Sequence, residues 1–367
     1  MSGASRIAFA GGGSGGHIYP LISVADEVRK KNPQIEIFFV STPGSIEEKI
    51  IPKSNYPLFL IPSGKLKGQS LFKKIGTLLV LPISFLRCLG MLLRKRPNYV
   101  FSAGGYAGAP YLISAALMGI PCGILEQNRI PGLANRMMAK FCNIIFINFA
   151  ATKECFPGKK TIIVGHPYRK EIEEARVPEL VIEEFFKKDP FYIFIFGGSQ
   201  GAVGINRLIA EALPELTELN IFIHHQTGES DFTAVKMAYD RNLVIKAKIE
   251  PYVYDMSAAY KNAQLVICRA GASSIAELAV AQKAALLIPL VSKDKHQEFN
   301  AEELFRQGAV AFSRQQELNG HKLAAMIKEF YYDRSKLINL AKTIGQINNQ
   351  DSAKKIADAL IAQAFQN

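Results

Sequence analysis

Three features of this 367-residue sequence predict an α/β fold of two parallel-sheet domains. Apolar runs of strand length alternate with helical patterns, the order expected of parallel sheets with crossover helices. That order starts twice, each time with a glycine-rich turn between an apolar run and a helical pattern. The first turn is Phe9-Ala-Gly-Gly-Gly-Ser-Gly-Gly-His17; the second, about 185 residues on, is Phe196-Gly-Gly-Ser-Gln-Gly-Ala202. Such a turn lets the backbone approach a ligand closely and aims helix N-terminal N–H groups at an anion such as phosphate. The length fits two domains of roughly 150 residues or more each, and a hydrophobic content of 49% supplies two cores.

Taken in order, residues 6–10 read as a strand and 17–31 as a helix, with Leu21, Val24, Ala25 and Val28 at helical spacing. Strands follow at 35–40, 99–102, 121–125, 144–147 and 161–164. The pattern restarts at Phe191 and continues through 221–225, 243–245, 265–268 and 284–288. The charged stretch 171–188 lies between the two patterns and is expected to contain the linker. Residues 335–365 read as a helical tail that packs back onto the first domain. The domains are therefore placed at 1–165 and 166–344, with a helix at about 345–367 returning to the first.

Composition narrows the function. Five widely spaced cysteines without a C-x-x-C pair disfavour a disulfide framework or a zinc site and favour a reducing compartment. The first apolar stretch meets glycines too soon for a signal-peptide core. The net charge of +12 sits wholly in the first half, where residues 1–165 hold 20 Lys/Arg and 7 Asp/Glu. Between Glu48 and Glu126 there is no acid but there are ten basic residues, and 75–86 is almost wholly apolar. That run is too short to span a bilayer, and Pro82 would kink it. Ile75, Leu78, Leu79, Leu81 and Phe85, ringed by Lys65, Lys67, Lys73 and Lys74, suit a face that dips into anionic lipid. The alternative is a core helix with a solvated basic rim. A nucleic-acid partner is disfavoured, because the aliphatic run has no interleaved aromatics.

The glycine turns constrain the ligand. Gly11-Gly-Gly-Ser-Gly-Gly16 matches the dinucleotide fingerprint formally, but that fingerprint needs an acid at the end of the second strand. Here the strand ends in Val40-Ser-Thr-Pro43, and Glu36 lies at the wrong end. This disfavours a nicotinamide oxidoreductase, and the P-loop signature is absent. In Val266-Ile-Cys-Arg-Ala-Gly-Ala-Ser-Ser-Ile-Ala-Glu277 a buried strand ends at a glycine and a helix begins near Ser273-Ser274, its first N–H groups suited to a diphosphate. Glu277, one turn in, could accept from two vicinal ribose hydroxyls; Ser274-Ile-Ala-Glu277 also reads as a capping box. Asp294, His296, Gln297 and Asn300 follow the next strand, where open α/β sheets bind ligands. His224-His225 ends a strand without metal-type spacing and reads as structural.

These segments, in order, resemble one family. Residues 11–20, Gly104-Gly-Tyr-Ala-Gly-Ala-Pro110, Glu126-Gln-Asn128 with Pro131-Gly-Leu-Ala-Asn135, Gly197-Gly-Ser-Gln-Gly-Ala202 with Asn206, Arg269 through Glu277, and His296-Gln297 with Asn300-Ala301 closely resemble the MurG family of glycosyltransferases. The likeness runs from about residue 6 to 360. It implies a GT-B fold, two Rossmann-like domains facing across a cleft. It also implies transfer of GlcNAc from UDP-GlcNAc to the C4 hydroxyl of the MurNAc of lipid I, with inversion, to give lipid II for peptidoglycan. A related lipid glycosyltransferase or a nucleotide-sugar epimerase of the same fold is the alternative.

By that likeness Glu277 holds the ribose, the backbone of Ala272, Ser273 and Ser274 holds the diphosphate, and Ser199 also touches phosphate. Val253 pairs uracil through its backbone, and Gln297 binds the sugar hydroxyls. Ser14, Gly15, Gly16 and Asn128 face the transferred sugar and acceptor, with Tyr106 and His296 as secondary candidates. Arg169, in Gly165-His-Pro-Tyr-Arg169, sits at the hinge near phosphate. Here His166 and Tyr168 replace the asparagine and aliphatic residue more usual in the family. The implied location is peripheral, on the cytoplasmic face of the bacterial inner membrane, with other cell-wall or division proteins as further partners.

An inverting transfer needs a base for the attacking hydroxyl and a counter-charge for departing UDP. His17, at the end of the first glycine turn, is the candidate base, a role that competes with merely capping the helix or orienting phosphate. The sequence has no Asp-x-Asp triplet to hold a metal-bound diphosphate. Helix N-termini and Arg169 must then carry that charge, so no metal or other cofactor is expected.

Overall fold

The first of two parallel sheets grows from the N-terminal half of the chain. In the computed structural model, residues 5–12, 15–45, 47–62, 71–105, 108–198, 201–347 and 351–365 are described, residues 15 and 71–81 in backbone only. The first run is β1 (Arg6–Ala10), α1 (Gly15–Lys31), β2 (Glu36–Ser41), α2 (Glu47–Ile50), β3 (Leu58–Leu60), α3 (Leu71–Lys95), β4 (Tyr99–Ser102), α4 (Ala109–Leu117), β5 (Cys122–Glu126), α5 (Leu133–Ala139), β6 (Ile144–Ile147) and β7 (Thr161–Ile163). The second run is α6 (Ile182–Lys187), β8 (Phe191–Phe196), α7 (Val203–Ala212), β9 (Ile221–Gln226), α8 (Phe232–Asp240), β10 (Lys246–Glu250), α9 (Met256–Asn262), β11 (Leu265–Cys268), α10 (Ala272–Ala281), β12 (Ala284–Leu287), α11 (His296–Arg306), β13 (Ala311–Phe312), α12 (Gly320–Tyr332) and α13 (Arg334–Gly345). A last helix, α14 (Ser352–Ala364), ends the chain.

The strand orders are β3-β2-β1-β4-β5-β6-β7 and β10-β9-β8-β11-β12-β13, every pair parallel. Both are doubly wound Rossmann-like sheets in which the order reverses beside the first strand. The chain divides into two compact units, Met1–Arg169 with Asn349–Asn367, and Lys170–Asn348.

Alternation along the strands builds each core. In β1, Ile7 and Phe9 face α1 and α14, while Ala8 and Ala10 face the layer that holds Cys88, Tyr111 and Met138. Ile356, Leu360 and Ala364 of α14 lie in the same core as Leu21, Val24 and Val28 of α1, and Lys31 pairs with Asp358. In the second unit, Phe191, Ile193 and Ile195 face a core closed by α7, α12 and α13. Phe194 and Phe196 turn to the opposite face, where both rings meet Tyr260 edge-on.

Three expectations are corrected. The 171–188 stretch is not a linker: Ile172, Ala175, Val177, Ile182 and Phe186 are buried, and the last three join the second core. The tail is two helices, α13 in the second core and α14 in the first. The strand expected at 243–245 lies at β10 instead, with Leu243 and Val244 exposed in the turn before it. β10 is an edge strand, where lysines guard the open edge and displace the hydropathy signal. Helix α3 runs over 25 residues with Pro82 inside it. Among the described residues no helix is long and apolar enough to cross a membrane.

Candidate functional site

In each unit two glycine-bearing turns leave the carboxyl ends of the two strands flanking the reversal of strand order, where open α/β sheets place their ligands. In the first unit these are the turns after β1 and β4. They touch: a Cβ on Gly105, where φ is +85°, would strike the Gly12 carbonyl. The carboxylate of buried Glu47 fills the space that a Cβ on Gly12 would need. Ser41 Oγ donates to Glu47 Oε2 at 3.2 Å.

His17 is the third residue of α1, immediately beyond that turn, and its ring is half-buried. Burial pushes its pKa below the ordinary histidine value, and the nearby Glu47 carboxylate pulls it partly back up. The ring is therefore neutral near pH 7 and able to accept a proton. Fully buried His166 also interacts with His17, and burial drives its own pKa down to about 3. Ser23 Oγ of α1 donates to the Tyr168 carbonyl at 3.1 Å, anchoring the segment that ends at half-buried Arg169.

Asn128 follows β5. Its backbone N–H and side-chain Nδ2 donate to Glu126 Oε1 at 2.8 and 3.3 Å. Asn135 Nδ2 and the Gly132 N–H donate to Oε2 at 2.8 and 3.3 Å. Desolvation outweighs these four donors and lifts the Glu126 pKa to about 7. Gln127 Nε2 donates to the Ala103 carbonyl at 3.0 Å, joining this loop to the turn after β4.

In the second unit, Gly201 has φ +77°, and a Cβ there would strike the Thr227 carbonyl. Helix α10 starts at Ala272, ahead of the expected Ser273-Ser274 start, with Gly271 as N-cap and no side-chain cap. Glu277 thus lies beyond the first turn, which removes the capping-box reading. The Ile275 N–H closes onto the Gly271 carbonyl at 3.0 Å, so the N–H groups of Ala272, Ser273 and Ser274 precede the first intrahelical bond. Glu277 is buried, and Tyr260 Oη donates to its Oε2 at 3.2 Å.

Asn300 Nδ2 donates to the Ala270 carbonyl at 3.3 Å and ties α11 to the start of α10. One turn earlier on α11, Gln297 Oε1 accepts from the Leu290 N–H at 2.9 Å. That bond identifies the oxygen and leaves the amide NH₂ as the donating end. His296 Nε2 lies 3.7 Å from Asp294 Oδ2. The Val253 N–H donates to Gln226 Oε1 at 3.2 Å, and Gln226 Nε2 donates to the Gly198 carbonyl at 2.7 Å. One side chain thus joins the Val253 loop to the second glycine turn. His224 pairs with Glu250, and His225 bridges Tyr239 and Asn206, in keeping with structural histidines.

Ser14, Tyr106, Ser199, Lys65 and Lys67 lie outside the described residues, as do the side chains of Lys73, Lys74, Ile75, Leu78, Leu79 and Leu81. Gly15 and Gly16 open α1, and Phe85 is half-buried on α3. Among the described residues no three His, Cys, Asp or Glu side chains gather as metal ligands. Sequence reasoning missed Glu47, Gln226 and Tyr260 and quoted Glu126 only as part of a motif. The contacts of Gln226 and Tyr260, and of Glu47 with His17, are tertiary, whereas those of Glu126 are local, where neighbouring Asn128 hinted at it.

Known proteins match over nearly the whole chain. The model of the glycosyltransferase family 28 N-terminal domain matches residues 7–147, and that of the family 28 C-terminal domain matches 192–360. A Myxococcus xanthus protein named UDP-N-acetylglucosamine--N-acetylmuramyl-(pentapeptide) pyrophosphoryl-undecaprenol N-acetylglucosamine transferase is 38% identical over 360 residues, 97% of this chain and 92% of that protein. A protein of the same name from Citrifermentans bemidjiense is 37% identical over 364 residues, 98% of this chain and 99% of its own. The crystal structure of Acinetobacter baumannii MurG has a TM-score of 0.81 at 25% identity, covering 98% of this chain and 99% of that one. A putative UDP-N-acetylglucosamine 2-epimerase from Listeria monocytogenes reaches 0.70 at 11% identity, covering 99% and 97%, a likeness of fold alone. With its glycine turns and its Glu277 helix set at the two reversals of strand order, this chain belongs to glycosyltransferase family 28, among the UDP-N-acetylglucosamine--N-acetylmuramyl-(pentapeptide) pyrophosphoryl-undecaprenol N-acetylglucosamine transferases.

Proposed function

We propose that this protein moves GlcNAc from UDP-GlcNAc to the C4 hydroxyl of the MurNAc of lipid I, with inversion at the anomeric carbon, giving lipid II for peptidoglycan synthesis. The observation that carries this reading is near-full-length identity of 37–38% to transferases of that name. The buried Glu277 carboxylate in the helix whose N-terminus begins at glycine, without a side-chain cap, supports it. An epimerase shares the fold, but three solved structures bearing an epimerase name match at 10–12% identity, a likeness of fold alone.

The second unit takes the donor. Glu277 accepts from the ribose hydroxyls, and the first N–H groups of α10 and Ser199 hold the diphosphate. Val253 pairs uracil through its backbone, with its carbonyl as acceptor while Gln226 holds its N–H. Gln297 donates its amide NH₂ to the sugar hydroxyls, with His296 beside it. The first unit takes the acceptor through Ser14, Gly15, Gly16, Tyr106 and Asn128. His17 removes the proton from the attacking hydroxyl as the anomeric C–O bond to UDP breaks. Helix N-termini and Arg169 take up the charge that develops on UDP, without a metal. Incubating the protein with radiolabelled UDP-GlcNAc and a lipid I analogue should yield labelled lipid and UDP in equal amounts, undiminished by excess chelator. An isomerised nucleotide sugar formed without acceptor would instead mark an epimerase, and recovery only with magnesium would sink the metal-free reading.

The acceptor is a polyprenyl lipid, and α3 gives the first unit a surface for it at the cytoplasmic face of the inner membrane. Ile83, Leu86 and Leu93 on α3 are exposed, as are Leu117 and Met118 at the end of α4 and Leu133 and Met137 on α5. Arg87, Arg94 and Lys140 are exposed among them. Apolar side chains rimmed by cations suit anionic lipid, at about 1 kcal/mol per basic residue near the surface. Replacing Lys73 and Lys74 by Glu should abolish flotation with anionic vesicles and leave turnover of a short-chain acceptor in detergent intact. Flotation indifferent to both lipid charge and this reversal would contradict the proposed face. Other cell-wall or division proteins are expected as partners at the same membrane.

A further inference from the structure

We infer that Tyr260 is a positioning residue for the nucleotide: its clamped hydroxyl orients the Glu277 carboxylate that reads the donor ribose. This rests on the assignment of Glu277 to the ribose made above.

The Tyr260 ring is fully buried on α9 and stands edge-on to Phe194 and Phe196, with centroids 5.6 and 6.0 Å away. Phe196 is the last residue of β8, immediately before the second glycine turn, so the ring is fixed against the base of that turn. Ring packing alone would be served by phenylalanine. The hydroxyl adds one directed bond, 3.2 Å to Glu277 Oε2. A carboxylate accepts at two oxygens. Holding Oε2 restrains the rotation of the group and therefore the direction in which Oε1 is presented to vicinal hydroxyls. A hydrogen bond to a charged group in a buried site is also among the stronger ones available.

The same short helix carries a second constraint. Asp255 caps α9 by accepting from the Ala258 N–H at 2.9 Å, and Asp255 closes the loop that holds Val253. One rigid element thus presents the uracil-pairing backbone at its start and the ribose-orienting hydroxyl in its second turn. Base and sugar recognition are linked through α9, and the glycine turn is braced by the same ring.

The test compares titrations of UDP and of 2′-deoxy-UDP against the whole protein and its Tyr260→Phe and Glu277→Ala variants. The wild type should prefer UDP. Glu277→Ala should abolish the preference. Tyr260→Phe should reduce it about three- to tenfold, with an unchanged melting temperature. In turnover assays Tyr260→Phe should raise KM for UDP-GlcNAc by a similar factor and leave kcat within about twofold. A merely structural tyrosine would weaken both nucleotides equally or lower the melting temperature, and either result overturns the proposal. If Glu277→Ala retains the preference for UDP, the ribose assignment itself fails. If Glu277→Ala loses it and Tyr260→Phe keeps it, the positioning role alone falls.

Discussion

A His17→Ala enzyme is expected to lose kcat by about 10²- to 10⁴-fold, the usual worth of a positioned general base, with KM for UDP-GlcNAc little changed. The expectation follows from where the ring sits. It is the third residue of α1, beyond the turn that touches Gly105, and burial keeps it neutral near pH 7. A base works only deprotonated, so activity should fall as pH drops through the His17 pKa. Because burial lowers that pKa, the acid limb of the kcat/KM profile should lie below the ordinary histidine value. Glu47 raises the same pKa. Glu47→Gln should therefore move the acid limb to still lower pH, a shift in the opposite sense to one caused by easier solvent access to the ring. Near-normal turnover in His17→Ala would rule out the base role, and an acid limb unmoved in Glu47→Gln would separate the two side chains.

The parts of this fold that were legible from sequence are those with local causes. Buried parallel strands such as 6–10 and 265–268 read correctly because both faces are apolar and leave a continuous run. The glycine turns read correctly because close approach and positive φ leave no alternative residue, as at Gly105 and Gly201. Of the sheet edges only β7, expected at 161–164, read correctly. β3, β10 and β13 are short or lysine-bearing strands at or near sheet margins, and Leu243-Val244, more apolar than β10, is merely a turn. The 171–188 stretch looked like a linker because its charges outnumber its buried residues, although Ile182 and Phe186 commit it to the second core.

The site divides the same way. His17, Asn128, Glu277 and Gln297 stand in recognisable local patterns. Glu47, through His17, and Gln226 and Tyr260 act through contacts with residues 17 or more positions away, which no spacing rule encodes. The capping-box signature at Ser274 and Glu277 failed for a physical reason: Gly271, which has no side chain to cap with, starts the helix earlier and puts Glu277 beyond the first turn. The two glycine turns also part company in their surroundings. The first is lined by titratable groups, His17, Glu47 and His166; the second is bound by the neutral amide of Gln226. Proton transfer fits the former, and holding a nucleotide fits the latter.

Removing Glu126 should produce the largest loss of stability. Its carboxylate accepts from the Asn128 N–H and Nδ2 on one oxygen and from the Gly132 N–H and Asn135 Nδ2 on the other, donors that lie in the loop after β5 and the first turn of α5. Glu126→Ala strands four donors in or near a buried site. At 1–3 kcal/mol for each that cannot reach water, a cost of about 3 kcal/mol or more is expected, or a fall of roughly 6–12 °C in the first unit's melting temperature. The Asn128 side chain would lose its orientation too, so the KM for the acceptor should rise while that for UDP-GlcNAc stays put. Glu126→Gln separates charge from geometry. Its carbonyl can still face Asn128, but its NH₂ opposes the Gly132 and Asn135 donors, so it should keep more acceptor affinity than Glu126→Ala and still lose stability. Titration gives an independent sign. The folded pKa is about 7 against an ordinary 4.5, so the folded state binds the proton more tightly. The stability this contributes is full below pH 4.5 and is lost as pH rises through 7, by about 3 kcal/mol in all. Thermal melts of the wild type should show that decline beyond any in Glu126→Gln, whose side chain does not titrate. Parallel pH profiles for the two proteins would show that Glu126 ionises as an ordinary exposed carboxylate, and the four-donor cradle would then have to be formed around a side chain open to water.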